Sequence, residues 1–277
     1  MLVAVGVLDD RYDVGPKRKF LLQLACALVV IHYGDLVLYT LGDLFGAGAI
    51  HTQGFSVAFT LFALLGVTNA VNMFDGANGL AGGTSLISAL GFSFAAATIG
   101  ADGAHYALLL LAGALGGFLI FNYRLRNFNS PLAFLGDAGA LFLGFTLAFV
   151  AVFLSQRPGL HMPPIVAVWI GGMPLLEIAR IVLRRVIHGA NPLLADRTHM
   201  HHCLVGLGIP ERWMVAAIWL AQAVLTTVGL ASWRFGVSEP KLFYGFVLIF
   251  LLYSLVVEWA DRVNLRRAAS QAQALAK

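Results

Sequence analysis

Short polar stretches between long apolar runs carry the residues of this sequence that could do chemistry. Three aspartates crowd into VLDDRYD (7–13), and a fourth lies among asparagines in TNAVNMFDGANGLAGG (68–83). FNYRLRNFNSPLAFLGDAG (121–139) holds another aspartate, and ANPLLADRTHMHHC (190–203) holds three histidines. Neighbouring carboxylates repel unless a cation joins them, and hard oxygen ligands favour Mg²⁺ or Mn²⁺. Together with nearby arginine, lysine and histidine donors, these carboxylates indicate phosphoryl transfer.

Long apolar segments separate these polar stretches and must position them. Of the 277 residues, 59% are hydrophobic and 12% are charged, about half the charged share of a soluble domain. A bilayer-spanning helix needs about 20 mostly apolar residues, and Met1–Leu8 is too short to span. The sequence therefore predicts an all-α, polytopic integral membrane protein with a truncated first helix. Eight further helices are expected near 20–40, 55–74, 80–100, 105–121, 138–155, 163–183, 213–232 and 241–259.

The positive charge of the chain is distributed unevenly between the two sides of the membrane. Nearly all of the 18 Lys and Arg residues lie in the odd-numbered loops and the C-terminal tail, the exceptions being Arg157, Arg234 and Lys241. The positive-inside rule then predicts that these loops and the C-terminus are cytoplasmic. All four polar stretches fall on that face. The basic excess reflects topology, and no soluble domain presents a basic surface to nucleic acid.

Each polar stretch also has a purely structural interpretation. Asp9, Asp10 and Asp13 could cap the helix that begins near Lys17, and Asp137 lies between glycines, where a turn is the default. The i, i+3, i+6 spacing predicts that Asn72, Asp75 and Asn78 share one helical face and line a pocket, whereas Gly76 and Gly79 are also typical of an ordinary connection. The histidine triplet of 199–202 lacks the spacing of a zinc site. Together with Arg197, it suits phosphate oxygens better.

The four stretches, in this order, resemble the bacterial polyprenyl-phosphate N-acetylhexosamine-1-phosphate transferases. LDDRYD with Lys19 and Gln23, NAVNMFDGANGLAGG, FNYRLRN followed by FLGDAG, and DRTHMHH carry the resemblance, roughly over residues 1–205. The DRxHxHH form is more similar to the N-acetylglucosamine branch than to the muramoyl-pentapeptide branch. The resemblance implies that a UDP-N-acetylhexosamine gives its sugar 1-phosphate to undecaprenyl phosphate and releases UMP. It further implies the cytoplasmic face of the bacterial inner membrane and the first membrane step of an envelope polysaccharide such as O-antigen.

The same resemblance implies roles for individual residues. Asp9 and Asp10 match the family's aspartate pair, one of which activates the lipid phosphate, and Asp137 matches the aspartate assigned to Mg²⁺, with Asp10 as its companion and Mn²⁺ as the substitute ion. Glu177, with Arg180 one turn on, matches a position that more often holds aspartate. The substrate-binding residues implied are Lys19, Asn72, Asp75, Asn78, Asn122, Arg197, His199, His201 and His202.

Two departures from the family pattern stand out. The second stretch reads DGANG where the family has DGxDG, so Asn78 replaces a carboxylate with an amide that has donors but no charge. The chain also begins inside what resembles the third family helix. We therefore expect one membrane domain over residues 1–277 that lacks the first two family helices, with catalytic loops near 9–19, 68–83, 121–139 and 190–203.

Two other functions fit parts of the pattern. An inactive scaffold would keep the helices with an incomplete site. An ion-coupled transporter also buries carboxylates, but at mid-membrane and often within inverted repeats, and neither feature is visible in this sequence. Besides the two substrates and the bilayer, a homodimer is left open as a partner.

Overall fold

The computed structural model of the protein describes residues 2–12, 15–123, 131–189 and 199–275. Within these ranges the chain is mostly helical, with one isolated bridge between Thr40 and His51 and no named strand. The helices are α1 (Leu2–Tyr12), α2 (Pro16–Gly34), α3 (Ser56–Phe74), α4 (Leu80–Thr98), α5 (Asp102–Asn122), α6 (Gly136–Gln156), α7 (Pro164–Ile170), α8 (Gly172–Ile187), α9 (Met200–Gly206), α10 (Glu211–Arg234) and α11 (Glu239–Leu275). The predicted all-α membrane architecture is thereby confirmed.

The number of full spans differs from the eight that the sequence predicts. Within the described residues, six helices are long and apolar enough to cross a membrane, or up to seven if the bent pair α7–α8 forms one span. The predicted span at 20–40 instead gives α2, whose first turn holds three basic residues and whose helix ends at Gly34. Residues after Gly34 run as irregular chain up to a short 3₁₀ turn at Gln53–Phe55.

The sixth apolar stretch breaks into two helices that meet at an angle of 92°. The break leaves backbone groups without helical partners, and such groups are costly away from water. Gln222 of α10, fully buried, accepts a hydrogen bond from the Met173 N–H at 2.8 Å and donates to the Ile170 carbonyl at 2.6 Å. One amide thus satisfies both sides of the break and stabilises the bend.

Two glycines let the helices that carry the polar stretches approach closely. A Cβ on Gly6 of α1 would collide with Ala138 of α6, next to Asp137. A Cβ on Gly144 of α6 would lie 2.8 Å from the Thr68 Cα of α3, one turn before Asn72. Small residues commonly allow membrane helices to pack backbone to backbone. Here they bring the ends of α1, α3 and α6 together.

Candidate active site

An acidic cluster forms where α1, α2, α3 and α6 meet. The Lys19 ammonium of α2 lies between two carboxylates, donating to Asp9 Oδ2 at 3.0 Å and also contacting Asp137 Oδ2. Asn72 of α3 donates to the other oxygen of Asp137 at 2.5 Å. These four residues were singled out from three separate stretches of sequence. Packing of the helices brings them into one contact group.

The protonation of this cluster reflects its crowding. A hydrogen bond with Asp137, followed by burial, raises the pKa of Asp9 above that of an ordinary aspartate. Burial disfavours the Lys19 ammonium, but its hydrogen bonds to Asp137 and Asp9 outweigh this effect and raise the pKa of Lys19. The lysine therefore stays charged at neutral pH, and its ammonium group pairs with both carboxylates. Added positive charge would stabilise the fully ionised pair.

The oxygen ligands of the cluster suit a magnesium ion whose coordination shell is completed by substrate. Asp9 and Asp137 offer hard carboxylate oxygens within reach of the same lysine, and Mg²⁺ is usually bound by one or two carboxylates together with substrate phosphates. Among the described residues, no group of three or more His, Cys, Asp or Glu side chains is arranged for a metal ion. The cluster therefore fits Mg²⁺ only in company with phosphate and water.

A cavity of about 510 Å³ opens beside the cluster. Gly136, the neighbour of Asp137 in the chain, forms part of its wall. Its polar lining comes from the second, third and fourth stretches and from α10, and consists of Asp75, Asn78, Asn122, His201, His202 and Glu211. The cavity is comparable in size with the sites that bind drug-sized ligands.

The expectation of a single polar helical face over Asn72, Asp75 and Asn78 is wrong. Helix α3 ends at Phe74, Asp75 caps it, and the chain turns through Gly79, whose φ of 82° favours glycine. Asn72 consequently contacts Asp137, while Asp75 and Asn78 line the cavity. Gly76 and Gly79 therefore belong to a connection between α3 and α4, and residues of this connection line the cavity.

Asn122 fixes that connection in place. Its Oδ1 accepts the Gly79 N–H at 2.5 Å, and its Nδ2 donates to the Ala133 carbonyl at 2.8 Å. Trp219 of α10 donates to the Gly79 carbonyl at 3.1 Å and packs on the Tyr123 ring with centroids 4.4 Å apart. Asn122 thus joins two of the polar stretches, a contact that sequence spacing could not show.

The histidine motif begins a short helix that is anchored by a buried glutamate. Glu177 of α8 accepts a hydrogen bond of 2.8 Å from the N–H of Met200, the first residue of α9. The Oε1 of Glu177 also lies 3.5 Å from His199 Nδ1. The same carboxylate binds Arg180 through two hydrogen bonds of 3.0 Å and accepts the Tyr253 hydroxyl of α11 at 2.6 Å. Three helices therefore meet at one carboxylate beneath the histidines.

The three histidine rings lie close together, and those of His201 and His202 line the cavity. Ring centroids of His201 and His202 are 4.1 Å apart, and those of His199 and His201 are 5.5 Å apart. A Cβ on Gly76 would collide with the His201 ring, so the second stretch touches the histidine helix directly. Imidazole N–H groups gathered in this way suit an anionic ligand.

His201 gives the fold a specific acid sensitivity. Burial, followed by the charges of His202 and His199, lowers its pKa to about 4, against about 6.5 in an unfolded chain. The native ring stays neutral where the unfolded ring binds a proton. This part of the stability is therefore complete above about pH 6.5 and is lost as the pH falls towards about 4. We expect the melting temperature to fall between pH 7 and pH 5, and to fall less in His201→Gln.

Thermal unfolding of the purified protein at pH 7.5, 6.5 and 5.0 measures this effect. His161→Gln is the matched control because His161 is exposed in the loop between α6 and α7, away from the cavity. Equal acid losses in the wild type and in His201→Gln would contradict the assignment.

Some expected site residues lie outside what the structure describes. Asp13 and Arg197 fall in undescribed segments, and the Asp10 side chain is not described either. Conversely, no sequence pattern pointed to Tyr253, Trp219 or Glu211. Glu211 directly follows a proline, which predicts the start of a helix and nothing about a site.

Fold and site together define a polytopic, all-α membrane protein with an acidic cluster and a polar cavity at one end of its helices. The family model for glycosyl transferase family 4 matches residues 1–155. The chain belongs to this family.

Curated relatives align with almost the whole length of this chain. The undecaprenyl-phosphate alpha-N-acetylglucosaminyl 1-phosphate transferase of Escherichia coli O157:H7 is 33% identical over 268 residues, which cover 95% of this chain and 72% of that protein. The protein of the same name from Haemophilus influenzae is 32% identical over 280 residues, covering 100% of this chain and 79% of its own length. The similarity therefore extends beyond the 205 residues that carry the motifs, into α10 and α11.

Proposed function

We propose that this chain transfers N-acetylglucosamine 1-phosphate from UDP-N-acetylglucosamine to undecaprenyl phosphate and releases UMP. The observation that carries the proposal is the acidic cluster of Asp9, Lys19, Asn72 and Asp137, together with the 510 Å³ cavity that Gly136, the chain neighbour of Asp137, helps to line. The relatives of similar sequence are named for this kind of transfer. A lipid phosphate and a water-soluble nucleotide can meet only where the helices reach the membrane surface.

In the proposed reaction each group of residues has its own part. A phosphate oxygen of the lipid attacks the phosphorus that bears the sugar, and the bond to the UMP oxygen breaks. Lys19 holds Asp9 and Asp137 in place, and Asp10 completes the carboxylates at the lipid phosphate. Asp75 and Asn78 bind the nucleotide-sugar in the cavity, while His199, His201, His202 and Arg197 donate to its diphosphate. Lys19, Asn72 and Asn122 keep these groups in register.

Mg²⁺, or Mn²⁺ in its place, would be held by Asp137 with Asp10 and Asp9 as further carboxylate ligands. When bound, the ion neutralises charge on the diphosphate and so favours attack by another anion. The residues of the chain itself then bind, orient and shield the reacting phosphates.

The charge pattern supports the orientation that the reaction needs. UDP-sugars are made in the cytoplasm, and the basic loops with the acidic cluster, the cavity and the C-terminus are assigned to that side by the positive-inside rule. We therefore propose the bacterial inner membrane, with the catalytic face cytoplasmic. An ion-coupled transporter would instead place its carboxylates near the bilayer midplane.

Release of UMP from purified membranes tests the proposal. The assay supplies undecaprenyl phosphate with either UDP-N-acetylglucosamine or its galacto epimer, with Mg²⁺ or with a chelator. We expect Mg²⁺-dependent release that is faster with the gluco sugar. Preference for the epimer would correct the substrate, whereas no release from correctly inserted protein with either sugar would favour the scaffold.

A further inference from the structure

Glu211, the first residue of α10, brings a carboxylate close to position 78, where this chain has asparagine in place of the family's aspartate. Glu211 Oε1 lies 3.3 Å from the Asn78 backbone nitrogen and 3.5 Å from its side-chain Nδ2. Both residues line the 510 Å³ cavity, Glu211 from α10 and Asn78 from the connection between α3 and α4. The negative charge missing from position 78 is thus supplied by another element, 133 residues further along the chain.

The two residue types are complementary as a pair. Asn78 directs a donor towards Glu211, and only an amide among its near-isosteres can do so. An aspartate at position 78 would place a second anion about as close, and neighbouring carboxylates disfavour each other's ionised form. Aspartate at 78 opposite glutamine at 211 would be complementary again, with the donor and the charge exchanged. The departure from DGxDG is therefore matched by Glu211.

The chemistry of the wall indicates which part of a ligand it meets. A carboxylate repels phosphate and accepts hydrogen bonds from neutral O–H and N–H groups. In a nucleotide-sugar such groups occur on the sugar, on its acetamido nitrogen and on the nucleoside. We propose that Glu211 is a substrate-binding residue that accepts hydrogen bonds from these neutral groups, with Asn78 as its positioning partner. This inference rests on the proposed transferase function.

The exchange of the pair provides the test. Hydrogen bonds to a charged acceptor are stronger than those to a neutral one, so we expect Glu211→Gln to raise the KM for UDP-N-acetylglucosamine by about tenfold with little change in kcat. Asn78→Asp should raise the KM at least as much. The double variant Asn78→Asp/Glu211→Gln should return it to within about threefold of the wild type, because charge and donor are both restored.

The matched control is Glu239→Gln. Glu239 is also the first residue of a membrane-length helix, but it contacts the Asp43 backbone nitrogen at the far end of the molecule. We expect the Glu239→Gln variant to keep the wild-type KM for UDP-N-acetylglucosamine. This result would separate the loss of a first-turn charge from the loss of a substrate contact. Melting temperatures of all variants establish that they are folded.

Inhibition by UMP distinguishes the two sources of the hydrogen-bond donor. If Glu211 binds the nucleoside, Glu211→Gln will weaken UMP inhibition about as much as it raises the KM; if it binds the sugar, UMP inhibition will not change. Either result supports the proposal. An unchanged KM in Glu211→Gln, or a double variant no better than Asn78→Asp, would overturn it while wild-type UMP release left the transferase function intact.

Discussion

Asp137→Asn should lower Mg²⁺-dependent UMP release by about a thousandfold, since electrostatic stabilisation by a bound ion contributes several kcal/mol to such transfers. The substitution keeps the size of the side chain and an oxygen that can accept the hydrogen bond from Asn72. It removes the charge that faces Lys19 and would hold the cation. The protein should still fold, because Lys19 keeps its hydrogen bond to Asp9 at 3.0 Å.

Asp102→Asn is the matched control for this prediction. Both aspartates lie in the first turn of a membrane-length helix, Asp137 in α6 and Asp102 in α5, but Asp102 lies at the opposite end of the bundle. UMP release is measured over a Mg²⁺ titration, with thermal unfolding as the check on folding. A folded Asp137→Asn protein that retains more than about a tenth of the wild-type rate would remove Asp137 from the metal site.

Glu177→Gln should have the second large effect, on both stability and turnover. Removing one partner from a buried ion pair costs about 3–5 kcal/mol, because the other charge stays buried. Here the other charge is Arg180, which is 4% exposed, and Glu177 also accepts hydrogen bonds from Tyr253 and the first turn of α9. Loosening α9 displaces the histidines, and a misplacement of about 1 Å costs about a hundredfold in rate.

Two further variants separate positioning from simple destabilisation. Asp261→Asn removes the negative charge from the ion pair of 2.9 Å between Arg184 of α8 and Asp261 of α11, which joins the same two helices without touching the histidine motif. Such a partly exposed pair contributes about 1 kcal/mol or less, and its loss should leave UMP release unchanged. Tyr253→Phe removes a single hydrogen bond from Glu177. Its effect on UMP release should lie between those of Glu177→Gln and Asp261→Asn.

The readouts are the melting temperature and the separate kcat and KM for UDP-N-acetylglucosamine. We expect Glu177→Gln to lower kcat even at temperatures where it is fully folded, and Glu177→Asp to recover part of it. A kcat loss that simply follows the unfolded fraction across all three positions would contradict a positioning role.

The residue types of the candidate site could be identified from sequence because they are conspicuous in an apolar chain. Asp9, Asn72 and Asp137 were selected from residue type and position, and Lys19 from the family resemblance. The structure brings all four into contact. Local spacing was a poorer guide. It predicted one helical face for Asn72, Asp75 and Asn78, but the helix ends at Phe74 because the following chain turns through glycine. A periodicity argument holds only while the helix continues.

Contacts over long sequence separation could not be predicted by any of these arguments. Glu177 was noted for its position, yet its hydrogen bonds to Met200 and Tyr253 depend on how α8, α9 and α11 pack. Glu211 gave no signal, because its partner Asn78 lies on a different element. Gln222 likewise looks out of place in an apolar helix until the break between α7 and α8 explains it.

The sequence by itself determined the helical membrane class and the residue types that the chemistry needs, and its charge pattern predicts the sidedness of the loops. These properties follow from composition and from the order of residues, because hydropathy and charge act on each segment separately. Only the tertiary structure decided which polar groups share a cluster, where the cavity lies and which residues hold the histidines in place. Those depend on close approaches such as Gly6 with Ala138 and Gly144 with Thr68, and close packing is a property of several segments at once.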